Sequence, residues 1–212
     1  NGHLLVCDMI GHRVVEMSTE GEVVKVIADS YEGKPIDGPN DIITDAKGGI
    51  YFTDPQFTME AEKFQPGRAV YYISPEGKIT RIVEPNEFAM PNGILLSPDG
   101  KTLFFCSNGP RSMGSYDIFR SLYENGQWSV PENLGYPINT PQKEGQLSVS
   151  TDASHAYRSS NRPGGLGESD LYRVDLQQIA ILEKDFRNPR PNLCILKGTM
   201  REGNEGYTVS DV

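Results

Sequence analysis

The feature that most constrains this chain is an internal repeat with a period slightly above 50 residues. Ser97–Asn108 matches Ser150–Asn161 at a spacing of 53, and Val14–Val23 matches Val70–Ile79 at a spacing of 56. In the second pair a strand-like segment runs into a Glu-Gly hairpin turn and out again. A period of this length is the signature of a repeat architecture.

Each repeat reads as four short strands joined by turns, which predicts a four-stranded antiparallel sheet. Such sheets hide their two faces when they stack radially, as the blades of a propeller do. We therefore predict an all-β fold, a β-propeller, with about four blades in the 212 residues and belonging to a larger ring. One helix is predicted over Leu176–Phe186, followed by a linker over residues 187–192 and the start of a further β segment at Leu193–Thr199.

Charge and apolar patterning exclude two classes of partner. The chain has 20 Lys and Arg against 29 Asp and Glu, a formal net charge of -9, which disfavours nucleic-acid binding. No apolar run approaches the ~18 residues of a transmembrane helix, so no membrane span is predicted. Cys7, Cys106 and Cys194 lie too far apart for a CxxC motif and are predicted to be buried free thiols.

Three motifs in the first half resemble one known family. Gly38–Ile43, Ile50–Pro55 and Ala89–Gly100 look like the gluconolactonase, regucalcin (senescence marker protein) and luciferin-regenerating enzyme family. The resemblance covers residues 1–105 and implies a six-bladed propeller, of which this chain is a fragment. It also implies a divalent cation at the central channel, with Ca²⁺ the expected ion, and hydrolysis of lactones or related esters.

The resemblance places two metal-site asparagines of that family on Asn40 and Asn92. Their side-chain oxygens suit Ca²⁺, a hard cation that takes 6–8 oxygen ligands. The alternative is that both are ordinary turn residues, since Asn tolerates left-handed backbone. The family's N-terminal metal-binding Glu lies upstream of anything in this chain, and its later metal-site Asp has no matching motif here.

The spacing of the repeats suggests a third site residue, Glu144. Asn92 stands eight residues before the turn glycine Gly100, and Glu144 stands eight before Asp152 in the corresponding turn. Asn40, Asn92 and Glu144 are 52 residues apart, so equal blades would place them at one height around the axis. We predict that Glu144 is a metal ligand and the catalytic carboxylate; alternatively it is an ordinary Glu-Gly turn residue. No substrate-binding residue is assigned, and the loop Phe57–Gly67 is predicted to reach the channel mouth.

The second half resembles a different group of propellers. Ser107–Pro110, Gly114–Phe119, Trp128–Gly135 and Ser159–Tyr172 look like TolB-type repeats of bacterial envelope proteins, over residues 96–176. That resemblance implies a periplasmic or secreted protein and a binding platform for an envelope protein, a glycan or a peptidoglycan-associated partner. The predicted division is therefore residues 1–105, 96–176 and 177–212.

Two functions follow from these resemblances. The first is a calcium-dependent lactonase-like hydrolase that acts on a sugar lactone or a similar small-molecule ester. The second is a non-catalytic envelope propeller in which Asn40 and Asn92 are only turn residues. Because both resemblances use the segment Ser97–Phe104, a natural fusion, a fragment or a composite chain with neither activity also stays open.

Overall fold

The computed structural model describes residues 2–57, 63–85, 88–150, 152 and 154–175, together with two strands over residues 199–202 and 205–208. Within these ranges the regular structure consists of strands in antiparallel pairs, and no helix occurs. The helix predicted over Leu176–Phe186, the linker after it and residues 193–198 of the following strand lie outside the described residues.

The first two sheets are formed by the N-terminal half. The first has the order β1-β2-β3, with a small hairpin β4-β5 after it, and the second has the order β6-β7-β8-β9. The bounds are β1 Leu4–Asp8, β2 Arg13–Met17, β3 Val23–Ala28, β4 Ser30–Tyr31, β5 Lys34–Pro35, β6 Ile42–Thr44, β7 Ile50–Asp54, β8 Ala69–Ile73 and β9 Ile79–Val83.

Two further sheets follow in the same meander. The third has the order β10-β11-β12-β13, with β14 also paired to β12, and the fourth has the order β15-β16-β17. The bounds are β10 Ala89–Leu96, β11 Thr102–Asn108, β12 Asp117–Glu124, β13 Gln127–Trp128, β14 Glu132–Asn133, β15 Glu144–Val149, β16 His155–Ser160 and β17 Asp170–Asp175. A separate hairpin joins β18 (Thr199–Glu202) to β19 (Glu205–Thr208).

Alternation along the strands explains how these sheets pack. In β11, Leu103 and Phe105 face a core shared with the second sheet, whereas Phe104 faces a core shared with the fourth. In β7, Tyr51 faces the third sheet and Phe52 the first. Successive side chains of a strand point to opposite faces of the sheet. A strand in a sheet that is covered on both faces is therefore apolar at consecutive positions. Each fully buried side chain of this size contributes about 1.5–3 kcal/mol.

The packing confirms the predicted all-β propeller architecture with about four blades. Neighbouring sheets share one core each, so the second and third sheets are covered on both faces, which is the arrangement of successive blades. The hairpin turns at Gly48 and Gly100 use backbone with φ of 89° and 72°, where a side chain would be strained. Asn40 lies eight residues before Gly48, as Asn92 lies eight before Gly100, so the two turns are equivalent.

Candidate functional site

Asn40 and Asn92 meet between the second and third sheets. Asn40 lies in the loop just before β6, and Asn92 lies within β10. The Nδ2 of Asn40 donates to the Oδ1 of Asn92 at 2.5 Å, and both side chains are half-buried. The structure therefore brings together two amides that are 52 residues apart in the sequence.

Asp41 holds this contact in place. The backbone on both sides of it is paired with β7, because Asn40 N donates to Thr53 O and Thr53 N donates to Asp41 O. Its carboxylate accepts from Ile94 N of the third sheet at 2.8 Å. The Asp41 side chain thus ties the loop that carries Asn40 to the strand that carries Asn92.

Gly93 allows the fourth sheet to approach the same point. Its φ is +58°, and a Cβ there would lie 3.0 Å from Cys106 Sγ and 3.1 Å from Gln146 Cα. Its backbone N–H also donates to Asn92 Oδ1 at 2.9 Å. A glycine at this position therefore serves both the backbone conformation and the contact between sheets.

A cavity of about 330 Å³ opens beside Asn92. Its wall includes the aromatic ring of Tyr116, the exposed Lys143 and residues of the fourth sheet. Lys143 Nζ lies 5.5 Å from the centre of the Tyr116 ring, a cation–π distance. The remaining lining residues are Phe57, Gly93, Cys106, Glu144, Gly145, Gln146 and Ser159.

Glu144 lines this cavity, as the repeat spacing predicted, but its carboxylate is fully buried and bound within the protein. Its two oxygens accept from Thr140 N at 3.0 Å and from the hydroxyls of Thr140 and Ser160 at 2.6 and 3.0 Å. Arg158 and Arg162 also pair with it at 3.5 and 3.3 Å. The carboxylate therefore holds β15 against β16, and its predicted catalytic and metal-binding roles stay predictions.

Among the described residues, the Glu144 carboxylate is the only buried negative charge that pairs with Arg158. The Arg158 side chain is 2% exposed. Burial, followed by the nearby cation of Arg162, lowers the pKa of Arg158 to about 10, while Glu144 acts in the opposite direction. Removing Glu144 would leave a buried cation without compensation.

The two asparagines have the chemistry of calcium ligands but make only part of a site. Amide oxygens are hard neutral donors, and a 180° flip of either amide exchanges its N and O. Among the residues that the structure describes, no group of three or more His, Cys, Asp or Glu could hold a metal ion. The predicted role of Asn40 and Asn92 as metal ligands therefore stays a prediction.

The two described cysteines are free thiols; Cys106 is buried as predicted, whereas Cys7 is only half-buried. Burial, and then the charge of Asp41, raises the pKa of Cys106 to about 12. Burial and the carboxylates of Asp41 and Asp54 raise the pKa of Cys7 to about 12 as well. Since the thiolate is the reactive form, neither acts as a nucleophile near neutral pH, while Cys194 lies outside the described residues.

Sequence reasoning missed a pair of buried carboxylates behind the asparagines. Asp54 ends β7 and accepts from the backbone N–H groups of Asp37 and Gly38 at 3.0 and 2.8 Å. Burial raises the pKa of Asp54 to about 6, although these hydrogen bonds oppose the shift. The signal in the sequence was the Thr-Asp-Pro ending of a buried strand, which places a carboxylate at the sheet end.

The second carboxylate, Asp37, anchors the loop that was predicted to reach the channel mouth. It accepts from the Gln56 side chain and from Gln65 N, the latter at 3.1 Å. Gln65 Nε2 in turn donates to three backbone carbonyls around the β4-β5 hairpin. The described part of the loop is therefore fastened to the first two sheets; residues 58–62 lie outside the described residues.

Among the described residues, no helix has the length and apolar character of a membrane span.

Comparison with known proteins identifies relatives of the first three sheets. The profile of the family described as SMP-30/Gluconolactonase/LRE-like region matches residues 1–126. A gluconolactonase of Zymomonas mobilis is 30% identical over 131 residues, which cover 59% of this chain and 36% of that protein. Lactonase drp35 of Staphylococcus saprophyticus is 30% identical over 161 residues, covering 72% of this chain and 45% of that protein. The chain thus spans less than half the length of these relatives.

Solved structures show the same fold. A gluconolactonase of Xanthomonas campestris superposes with a TM-score of 0.57 at 20% identity, covering 82% of this chain and 68% of that one. TolB of Acinetobacter baumannii superposes with a TM-score of 0.51 at 16% identity, covering 82% and 38%. Both resemblances inferred from the sequence are therefore found among the similar proteins, and at these identities the structural likeness shows the propeller fold alone.

Proposed function

Because the chain belongs to the SMP-30/Gluconolactonase/LRE-like family, we propose that the protein is a lactone hydrolase in which Asn40 and Asn92 supply two oxygen ligands to a divalent cation. The observation that carries the proposal is the 2.5 Å contact between the two amides, made across two blades at equivalent positions. Asn92 lies within β10 and its side chain contacts Asn40 of the neighbouring blade, so its contact is not confined to a local turn.

The proposed cation is Ca²⁺, because neutral amide oxygens suit a hard ion. Such an ion, when bound, polarises a carbonyl oxygen as a Lewis acid. Asp41 contributes by position, since its carboxylate is bonded to Ile94 N and Ile42 N and keeps the loop of Asn40 beside β10. We expect Asp41 to fix the separation of the two amides without becoming a ligand.

The cavity beside Asn92 supports a small polar substrate. Its volume of about 330 Å³ is at the lower end of the range for small-molecule sites, ~300–1,000 Å³. The ammonium of Lys143 can donate hydrogen bonds to a substrate's oxygens, and the Tyr116 hydroxyl, which donates to Met90 Sδ at 3.3 Å, can accept from a substrate's hydroxyl. A sugar lactone, which is compact and rich in acceptor oxygens, matches that wall.

Water is the proposed attacking group. The thiol of Cys106, the cysteine on the cavity wall, has a pKa of about 12 and stays protonated. Glu144, the acidic residue on the same wall, is bound to two arginines and two hydroxyls. The described residues of this wall therefore favour hydrolysis by water over a covalent intermediate on Cys106 or Glu144.

A pair of opposite substitutions at Asn92 tests the proposal. Asn92→Ala removes an oxygen ligand, so we expect Ca²⁺ affinity in calorimetry to fall by about 10-fold or more, at least the cost of losing a supporting partner. Asn92→Asp adds a negative charge in the same shape, so affinity should rise. Hydrolysis of glucono-δ-lactone in a pH-stat should fall with Asn92→Ala.

The outcome depends on comparing both variants with the unsubstituted protein. Circular dichroism and thermal unfolding in EDTA verify that each variant is folded. Equal Ca²⁺ affinity in all three proteins would remove Asn92 from the site. Loss of lactone hydrolysis without any change in Ca²⁺ affinity would assign Asn92 to substrate contact instead.

A further inference from the structure

A second concave site lies at the opposite end of the second and third sheets. This groove, of about 480 Å³, is lined by the turn after β6, the turn after β10 and the turn between β12 and β13. Asp45 follows Asn40 by five residues and Pro98 follows Asn92 by six. At about 3.3 Å per residue the groove is on the order of 16–20 Å from the asparagines.

Four aromatic rings form the floor of the groove. Tyr51 and Tyr72 come from the second sheet, with ring centres 4.5 Å apart, and Tyr123 and Trp128 come from the third, 5.2 Å apart. The two pairs meet where Tyr51 and Trp128 pack edge to face at 5.9 Å. The rings therefore make one continuous surface across two complete blades.

Packing between the blades accounts for only part of this surface. Tyr51 is 6% exposed and belongs to the core, but Tyr123 is 44% exposed. Among the described residues, neither the phenol of Tyr123 nor the indole N–H of Trp128 has a hydrogen-bond partner, although such polar ends usually find one. The outer part of the aromatic surface thus presents flat rings and unused donors to a ligand.

The rim of the groove carries equal numbers of negatively charged hydrogen-bond acceptors and positively charged hydrogen-bond donors. Asp45 and Asp99 supply carboxylates, and Lys47 and Lys101 supply ammonium groups that form no ion pair within the described residues. Asp45 Oδ2 accepts from the Tyr72 phenol at 3.0 Å, so the acidic side is joined directly to the aromatic floor. Formal charges on the rim cancel, which disfavours a strongly charged ligand.

We propose that this groove is a carbohydrate-binding site for a neutral oligosaccharide of two or three sugar units. The C–H face of a sugar ring packs on aromatic rings, and its hydroxyls both donate and accept. Carboxylates at the rim can accept from those hydroxyls, while the lysines and the indole N–H can donate to them. A volume of about 480 Å³ is within the usual range for small-molecule sites.

A proline-rich peptide is the other ligand class that docks on aromatic grooves. Consecutive prolines offer carbonyl acceptors but no backbone N–H for the two rim carboxylates, whereas each sugar unit carries several hydroxyl donors. The observed rim therefore favours the sugar. The proposal is independent of the lactonase site, since none of the groove's residues belongs to the cavity beside Asn92.

Trp128 makes the test direct, because it is the only tryptophan in the chain. Its fluorescence is recorded while maltotriose, cellotriose or the trisaccharide of N-acetylglucosamine is titrated into the full chain. We expect at least one of these sugars to change the emission saturably. Tyr123→Ala should weaken that binding by about 2- to 12-fold, the range for one aromatic contact.

Tyr136→Ala is the matched control, because Tyr136 is 79% exposed and lies outside the groove. Its affinity for the same sugar should equal that of the unsubstituted chain. The proposal is overturned if no sugar changes the emission, if Tyr123→Ala binds as tightly as the control, or if only a polyproline peptide produces the change. Binding that persists after Asn92→Ala shows that the groove works apart from the proposed metal site.

Discussion

The buried carboxylate of Asp54 should make folding stability depend on pH in a specific direction. Burial raises its pKa from 3.8 to about 6 in the folded chain, although two backbone N–H groups donate to it. The folded state therefore binds this proton more tightly than the unfolded state. Stability from this group is present at low pH and is lost as pH rises from about 4 through 6.

The structure gives the size of the effect. The rise from 3.8 to about 6 corresponds to about 3 kcal/mol, since each tenfold change in an equilibrium constant is about 1.4 kcal/mol. Of this, roughly 2.5 kcal/mol should be lost between pH 4 and pH 7. Asp54→Asn removes the titration and keeps one acceptor oxygen for Asp37 N or Gly38 N. The stability of the unsubstituted chain relative to this variant should therefore fall by that amount over the same range.

Urea unfolding followed by Trp128 fluorescence at several pH values between 4 and 7 measures the difference. Contributions from titrating groups that do not interact with Asp54 cancel when the two chains are compared at each pH. Asp29→Asn removes the same formal charge at an exposed position and controls for net charge. The reasoning would be refuted if the stability of the unsubstituted chain relative to Asp54→Asn stayed constant between pH 4 and pH 7, or rose with pH.

Two further substitutions test the contacts around the cavity. Glu144→Gln should cost about 3 kcal/mol of unfolding free energy in urea, because it leaves Arg158 buried without its counter-charge; a variant with full stability would contradict the structural role. Gly93→Ala should cost about 1–3 kcal/mol, from its positive φ and from crowding at 3.0 Å from Cys106 Sγ. Gly100→Ala has a similar φ with nothing within 4 Å, so an equal or larger loss there would refute the crowding argument.

The blades could be predicted from the sequence because the signals that specify their hairpins lie between residues close together in the chain. Alternating apolar residues and turn glycines specify hairpins, and the repeat implies that hairpins of one kind stack on each other. Equal repeat length also explains why Asn40 and Asn92 meet. Residues at the same phase of two adjacent blades enter the sheet at the same end, so a separation of 52 residues becomes a contact of 2.5 Å.

The role of Glu144 could not be read from the same spacing. The position of Glu144 within its repeat correctly predicted that it lies on the cavity that includes Asn92. What decides its chemistry is the pair Arg158 and Arg162, which reach it from within β16 and from the loop that follows. Spacing predicts where a backbone position lies, but it does not predict which side chains of a neighbouring strand neutralise the charge.

The buried pair Asp37 and Asp54 shows why the ends of these strands suit a binding site. A loop that leaves a buried strand must satisfy its backbone N–H groups, and here Asp54 accepts two of them. The same bonds hold the turn that leads to Asn40, and Asp41 then ties that turn to β10. These carboxylates are bonded inside the protein, and the polar groups that line the cavity include the amides of Asn92 and Gln146, the Tyr116 phenol and the Lys143 ammonium. Under the proposed function a cation supplies the electrophile of this site. Asn92→Ala and Asn92→Asp, which should have opposite effects on Ca²⁺ affinity, therefore test that function more sharply than any substitution of a carboxylate.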